Sequence, residues 1–328
     1  MGLDSTYYPP KKIKRDDLEK FLALLQYEKQ PLSKFDRDHN TRWLHYFSKT
    51  PYESLQGVSF AIRVTKGELT AHGRNNIWCS NADRQYHDLT LRELKKHFGG
   101  YFISDYGKNR YFKKDGPDRD KDESGCFIEA GRAINQIGRL SILTNSIPDP
   151  RTPVQKDDLI WMNEVNPHVI LGNLAVSYIL SVIENYFRNT YVALLTYSEK
   201  KSEILKASQI RTTDLLDVSK GDMRIEEAFA HSLNFQNVKS ICETFDRLDQ
   251  QLGIRQAIAK KHGRRKESFQ QFIERIANHR HKTMHRNIQD LYYDLDFLKK
   301  DVLFCKILIL SIYKNIVAKK HWVYEEPW

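Results

Sequence analysis

A chain of 328 residues is long enough for two domains of ordinary size, each able to bury its own core. Hydrophobic residues at 40% and aromatics at 12% exclude a disordered polymer, and the formal charge of +10 favours polyanionic partners, with RNA, DNA and acidic membranes as the candidates. The four cysteines, Cys79, Cys126, Cys242 and Cys305, are widely spaced and form no C-x-x-C pair, which argues against a zinc ribbon and against a secreted disulfide framework. Lys11, Lys12, Lys14 and Arg15 are followed by no apolar stretch, so they do not open a signal peptide. The apolar run Val302–Tyr313 is shorter than a membrane span and carries Lys306. The expected location is the cytoplasm, with a bacterial cell as the default.

In chain order, Asp16–Gln26 has apolar residues at Leu18, Phe21, Leu22, Leu24 and Leu25, the spacing of a short amphipathic helix. Val58–Val64 alternates and is followed by Lys66-Gly67 and Leu69–His72, which predicts a hairpin. Thr90–Phe98 reads as a helix capped by Thr90 and stopped by Gly99-Gly100. Tyr101–Ser104 and Arg110–Lys113 flank Asp105–Asn109 as a second hairpin candidate. Asp115–Gly125 reads as a polar exposed loop, and Cys126–Ile147 fits either a helix or two short strands. The first domain is therefore expected to be α+β over residues 1–147.

Three prolines, Pro148, Pro150 and Pro153, place the domain boundary in a linker over 148–158, because neither a helix nor a central strand runs through them. Beyond it, Asn166-Pro167 is a strong helix start, and helical spacing continues from Ile170 to about Leu195. A second helix is expected over Ile225–Leu252, closed by Gly253. A third runs from Ser268 towards His279, and a fourth carries Leu291, Leu295, Leu298, Val302, Cys305, Ile309, Ile312 and Ile316. Residues 159–328 are thus expected to form an all-α helical bundle.

The densest chemistry lies in Asn278–Asn287, which holds three histidines, two arginines and a lysine directly after an amphipathic helix. Histidine gives and takes protons near neutral pH, and the planar arginine fork matches phosphate oxygens. Together they meet the needs of phosphodiester cleavage, and RNA brings its own nucleophile in the 2′-hydroxyl, so no metal is required. On a regular helix, however, Arg280 and His285 point roughly 140° apart. They meet only if the helix breaks between them or if two subunits share one cleft. His281 and His285, at i and i+4, lie on one face, which is also how two histidines would grip zinc. The usual helical zinc motif has glutamate after its first histidine, and here Lys282 stands there.

Arg280-His-Lys-Thr-Met-His285 resembles the R-x4-6-H motif of HEPN domains, in the variant with a polar residue after the arginine. Phe272–Ala277 is similar to the helix that leads into that motif, and Ser181–Arg188 to the first helix of such domains. The resemblance covers residues 160–320. It implies a helical bundle that dimerises and a metal-independent endoribonuclease without cofactor, leaving a 2′,3′-cyclic phosphate and a 5′-hydroxyl. Arg280 would polarise the scissile phosphate, His285 would act as general acid or base, and His281 would orient or assist. Glu184, which would fix Arg280, and Asn278 stand as supporting residues. Where HEPN toxins paired with nucleotidyltransferase antitoxins often carry a tyrosine two positions after the histidine, this chain has Asn287, so regulation by modification of that tyrosine is not implied.

RNA contact is expected from Lys260, Lys261, Arg264, Arg265 and Lys266 upstream and from Lys282 and Arg286 within the cluster. In the first domain, Gly73–Trp78 and Asp105–Phe112 mix basic, amide and aromatic residues, a composition that suits base stacking but equally suits core packing. Fusion to a nuclease implies a recognition or control role, and toxin-like or anti-phage defence is the setting the analogy suggests. Two other readings stand beside the homodimeric endoribonuclease: a non-catalytic RNA-binding or adaptor module, and a metal hydrolase using His281 and His285.

Overall fold

The alternation over Val58–Val64 builds the hairpin that its turn demands. In the computed structural model, which describes residues 3–31, 36, 40–76, 79–113, 119–147, 154–155, 157–207, 209–263 and 266–327, β4 (Val58–Thr65) and β5 (Glu68–Asn75) pair antiparallel with Thr65 opposite Glu68. Lys66 and Gly67 both have positive φ, 52° and 80°, the handedness that matches the twist of the flanking strands.

The chain divides into two compact units, Met1–Lys121 and Asp122–Trp328. The first unit is a seven-stranded antiparallel sheet in the order β2-β3-β4-β5-β1-β6-β7. The remaining elements are β1 (Leu3–Tyr8), α1 (Arg15–Leu24), β2 (Glu28–Lys29), β3 (Thr41–Tyr46), α2 (Asn81–Phe98), β6 (Tyr101–Ser104) and β7 (Gly107–Lys108). Leu18 and Leu22 of α1 and Leu91 and Leu94 of α2 join Tyr7, Leu44, Phe60, Ile62, Ala71 and Phe102 of the sheet in one core.

Two of these local elements differ from expectation. Helix α2 begins at Ser80 rather than Thr90: Ser80 Oγ accepts from Asp83 N at 3.0 Å and the Asp83 carboxylate accepts from Ser80 N at 3.0 Å, a reciprocal cap. Thr90 is buried inside the helix, donating to Tyr86 O at 2.8 Å. The return arm of the second hairpin is β7, inside the stretch read as its turn, while Arg110–Lys113 forms no strand. Of the first-domain stretch Gly73–Trp78, Ile77 and Trp78 lie outside the described residues.

His87 on α2 is wholly buried against Gly73, where an added Cβ would stand 2.4 Å from its Nε2. Its Nε2 lies 2.7 Å from Ser5 Oγ, its Nδ1 has no partner among the described residues, and burial pushes the imidazole down to about 3. A base held neutral in the fold costs nothing above the unfolded value of 6.5, but as pH falls below it the unfolded chain gains a proton that the folded one refuses. The first unit should therefore lose about 2.5 kcal/mol relative to a His87→Leu variant between about pH 7 and about pH 4.5. Urea unfolding followed by mass-resolved amide exchange over residues 58–75 reads this difference. Asp88, raised to about 6 by burial, works in the opposite sense in both proteins and cancels.

The second unit is helical. Its elements are α3 (Lys121–Ser146), a 3-10 segment (Asp157–Val165), α4 (Pro167–Thr196), α5 (Lys201–Lys206), α6 (Thr212–Lys220), α7 (Ile225–His231), α8 (Val238–Leu248), a 3-10 turn (Gln250–Leu252), α9 (Ile254–Ala259), α10 (Phe269–Arg286) and α11 (Leu295–Lys319). The residues left open between helix and strands thus form one long helix. Helix α3 belongs to this unit: Glu129 accepts from Asn189 Nδ2 at 3.1 Å, Gln136 O accepts from Tyr178 at 3.2 Å, and Phe127 packs edge-on to Tyr313. The boundary accordingly falls at 121/122 and not in a linker over 148–158. Prolines mark where a helix must stop, whereas side-chain contacts decide which unit a helix joins. Residues 148–153 and 156 of that stretch lie outside the described residues.

Asn166 caps α4 as expected, its Oδ1 accepting from His168 N at 3.0 Å. By length and composition α4 is apolar enough to cross a membrane, and 56% of that apolar stretch is buried inside the structure. The single helix expected over Ile225–Leu252 is broken, because Asn234 accepts from Gln236 N at 2.8 Å and Asn237 accepts from Ser240 N at 3.2 Å, turning the backbone and starting α8 afresh. Gly253, at φ 59°, closes the 3-10 turn. Helix α11 starts after Leu291, at the cap Asp294, and packs with α10 against α4.

Candidate functional site

Helix α10 carries the Arg–His cluster. Ser268 and Gln271 cap it reciprocally, Ser268 Oγ accepting from Gln271 N at 3.3 Å and Gln271 Oε1 from Ser268 N at 2.9 Å. Phe269, Phe272, Ile273, Ile276 and His279 form its buried face, and no residue after His279 is buried. The last two turns therefore stand clear of the core. Asn287 ends the helix at φ 53°, with the Ile288 amide donating to Lys282 O at 3.1 Å. Asparagine is one of the few residues other than glycine that adopts this left-handed conformation readily, so position 287 is shaped by the cap.

The helix is unbroken between Arg280 and His285, so within one chain the two side chains leave it roughly 140° apart. His281 and His285 share a face, with ring centroids 5.3 Å apart, and both are exposed. Arg280 is half-buried, and Lys282 and Arg286 are exposed. Elsewhere in this unit Arg132, Arg188, Arg224, Arg255 and Arg275 each meet a carboxylate. Among the described residues no ion pair engages Arg280, Lys282 or Arg286.

Glu184 does not fix Arg280. Its carboxylate accepts from Arg188 and from Gln236 Nε2 at 2.9 Å, which holds α4 to the turn before α8. The upstream basic loop also sits apart from the motif. Lys261 pairs with Ser268 in a β-bridge and Phe269 N donates to Lys260 O at 3.2 Å, so the loop is folded onto the start of α10. Lys260, Lys261 and Lys266 are exposed there, a helix length or roughly 25 Å from His285. Arg264 and Arg265 lie outside the described residues.

The histidine left out of the sequence assignment is the one the fold organises. His279 is buried, and its Nε2 lies 2.8 Å from Asn173 Oδ1, which also accepts from Asp290 N at 2.8 Å. Asn173 Nδ2 donates to Val169 O and Asp290 O at 2.8 and 3.0 Å, so its oxygen must face the histidine. His279 is therefore the Nε2–H tautomer, with Nδ1 an acceptor that no described residue engages, and burial lowers its affinity for a second proton. The signal available in the sequence was Asn173 itself, a lone amide in the apolar run Val169–Val176. Beside it, Gly172 lets the 293–294 backbone approach, since a Cβ there would stand 2.7 Å from Tyr293 O.

His279 opens on a cavity of about 590 Å3 between α10 and the 288–301 segment. Its floor is a closed network: Arg275 donates through Nη1 and Nη2 to the buried Asp301 at 2.9 and 2.8 Å, Tyr293 donates to Asp301 at 2.7 Å, and Arg275 also grips Glu267. Asn278 and Lys282 of the cluster line the cavity, whereas Arg280, His281 and His285 do not.

No protein-family model, curated protein or solved structure matches this chain.

Chemically, the end of α10 offers two exposed imidazoles in contact and three cationic groups free of carboxylates, enough for proton transfer and for phosphate contact. No three His, Cys, Asp or Glu side chains converge as metal ligands among the described residues, so His281 and His285 find no third ligand there.

Proposed function

We propose that the second unit is a metal-independent endoribonuclease of the HEPN type, working as a homodimer. The observation that carries this reading is the exposed end of α10, where Arg280, His281 and His285 stand in the spacing of the motif and none of the charge of Arg280, Lys282 or Arg286 is spent on an internal carboxylate. In the proposed reaction one histidine takes the proton of the RNA 2′-hydroxyl as that oxygen bonds to phosphorus. The bond from phosphorus to the 5′-oxygen breaks, and a second histidine protonates the leaving oxygen. Arg280 stabilises the charge on the non-bridging oxygens. Because α10 is unbroken, Arg280 and His285 serve one phosphate only if they come from two chains. The first unit would then recognise RNA or restrain cleavage, in a toxin-like or anti-phage role.

One observation favours the alternative of a non-catalytic RNA-binding module. Among the described residues nothing hydrogen-bonds His281 or His285, so no neighbour fixes their tautomers as a catalytic base usually requires. Incubation of the purified protein with total RNA in excess EDTA separates the two. The nuclease yields fragments with 2′,3′-cyclic phosphate ends, and the binding module yields salt-sensitive retention without fragments.

A further inference from the structure

The cavity beside His279 has a character of its own. Six charged residues line it, the basic Arg275, Lys282 and Lys300 and the acidic Glu267, Asp290 and Asp301, so their formal charges cancel. Arg275 is fully committed to Glu267 and Asp301, and Asp290 accepts from Tyr292 N at 3.0 Å. A balanced interior of this kind does not suit a pyrophosphate or another concentrated anion. It suits a neutral group rich in donors and acceptors. The hydrogen-bonding groups supplied are Nδ1 of His279 and the amides of Asn278 and Gln289.

Tyr292 and Phe297 are 64% and 50% exposed, and Ile288 beside them is 53% exposed. Tyr292 is the most exposed ring at the cavity mouth, and half of Phe297 is open to solvent beside it. Phe297 is stacked 6.2 Å from the ring of Tyr293, which holds it in place, and Lys300 Nζ lies 5.1 Å from the Phe297 centroid. The volume lies within the range of about 300–1,000 Å3 usual for small-ligand clefts. Flat, hydrogen-bonding and neutral is the chemistry of a nucleobase, and base–aromatic stacking is the common device of single-strand binding.

We infer that this cavity binds one base of a single-stranded RNA, stacked on Tyr292 or Phe297, with its polar edge on His279, Asn278 and Gln289. Lys282 and Lys300 lie at the same cavity and take the adjoining phosphates outside the balanced interior. Asn278 and Lys282 belong to the helix that carries Arg280 and His285, so an occupied base would set which phosphate of the strand reaches the cluster. This inference deepens the ribonuclease reading and rests on it for RNA as the source of the base.

The test measures binding rather than cleavage. Full-length protein carrying His285→Ala is titrated into a fluorescent single-stranded oligoribonucleotide, alone and with Tyr292→Ala or Phe297→Ala added. Neither aromatic substitution changes charge, and both side chains are half-exposed or more, so folding is retained. Loss of one base–aromatic stack is expected to weaken binding by about ten-fold or more in at least one of them, with no such loss for Lys299→Ala outside the cavity. Affinities unchanged in both aromatic variants would overturn the base site and leave the cleavage assay to judge the ribonuclease reading alone. A parallel titration with nucleoside monophosphates separates the sources. Tyr292-dependent binding of a free nucleotide without binding of RNA would keep the base site and remove the ribonuclease reading.

Discussion

A mixture of Arg280→Ala and His285→Ala proteins, each inactive alone, is expected to recover about a quarter of wild-type RNA cleavage once their subunits exchange. Each substitution by itself removes either charge stabilisation at phosphorus or proton transfer and is expected to cost about 10²-fold to 10⁴-fold in rate. The recovery follows from the geometry of α10. Five residues along an intact helix advance about 7.5 Å and turn roughly 140°, so one chain's arginine and histidine do not face the same phosphate. If the site takes Arg280 from one protomer and His285 from the other, a mixed dimer has one site with neither group and one site with both. Random pairing makes half of the dimers mixed, which gives the fraction stated. Co-expression with two affinity tags isolates the mixed dimer directly, and its specific activity should be about half that of wild type. A mixed dimer as inactive as its parents, beside an active wild type, would reject a site shared in this way.

The second large effect is on stability. Asn173→Ala removes two acceptor contacts, from Asp290 N and His279 Nε2, and the donor contacts to Val169 O and Asp290 O, all in or beside the core. Each buried group left without a partner costs about 1–3 kcal/mol, so the second unit should lose roughly 3–5 kcal/mol. Urea titration with circular dichroism at 222 nm reads the helical unit, and a change below about 0.5 kcal/mol would show that these bonds are exchanged for water at no cost. Asn173→Asp keeps both acceptor contacts but turns a buried carboxylate oxygen onto Val169 O and Asp290 O, so near neutral pH it should cost at least as much as Asn173→Ala. The loss reaches the cavity as well, because Asn173 sets the tautomer of His279 and pins the 290–293 backbone. Asn163 holds the same segment from the preceding turn, through Nδ2 to Leu291 O at 2.9 Å.

What the residues determined by themselves is what short-range physics controls. Asn166, Ser268 and Asp294 cap helices because their side-chain oxygens reach amides two or three positions on. Lys66-Gly67 sets its hairpin through the handedness of two φ angles. The Arg–His cluster is visible for the same reason, since its members lie within one segment of chain. The tertiary structure decided everything that depends on distant partners. Strand β1, with only Ser5 and Tyr7 facing the core, gives little alternation to read, yet it pairs with β5 and β6 in the interior of the sheet. Helix α3 precedes the prolines but packs on α4 and α11. Glu184 carries the right charge, but Arg188 one turn along the same helix and Gln236 hold it. His279 meets Asn173 across 106 residues, a contact that no periodicity encodes, and that contact separates a buried, oriented histidine from the two exposed ones a few positions further on.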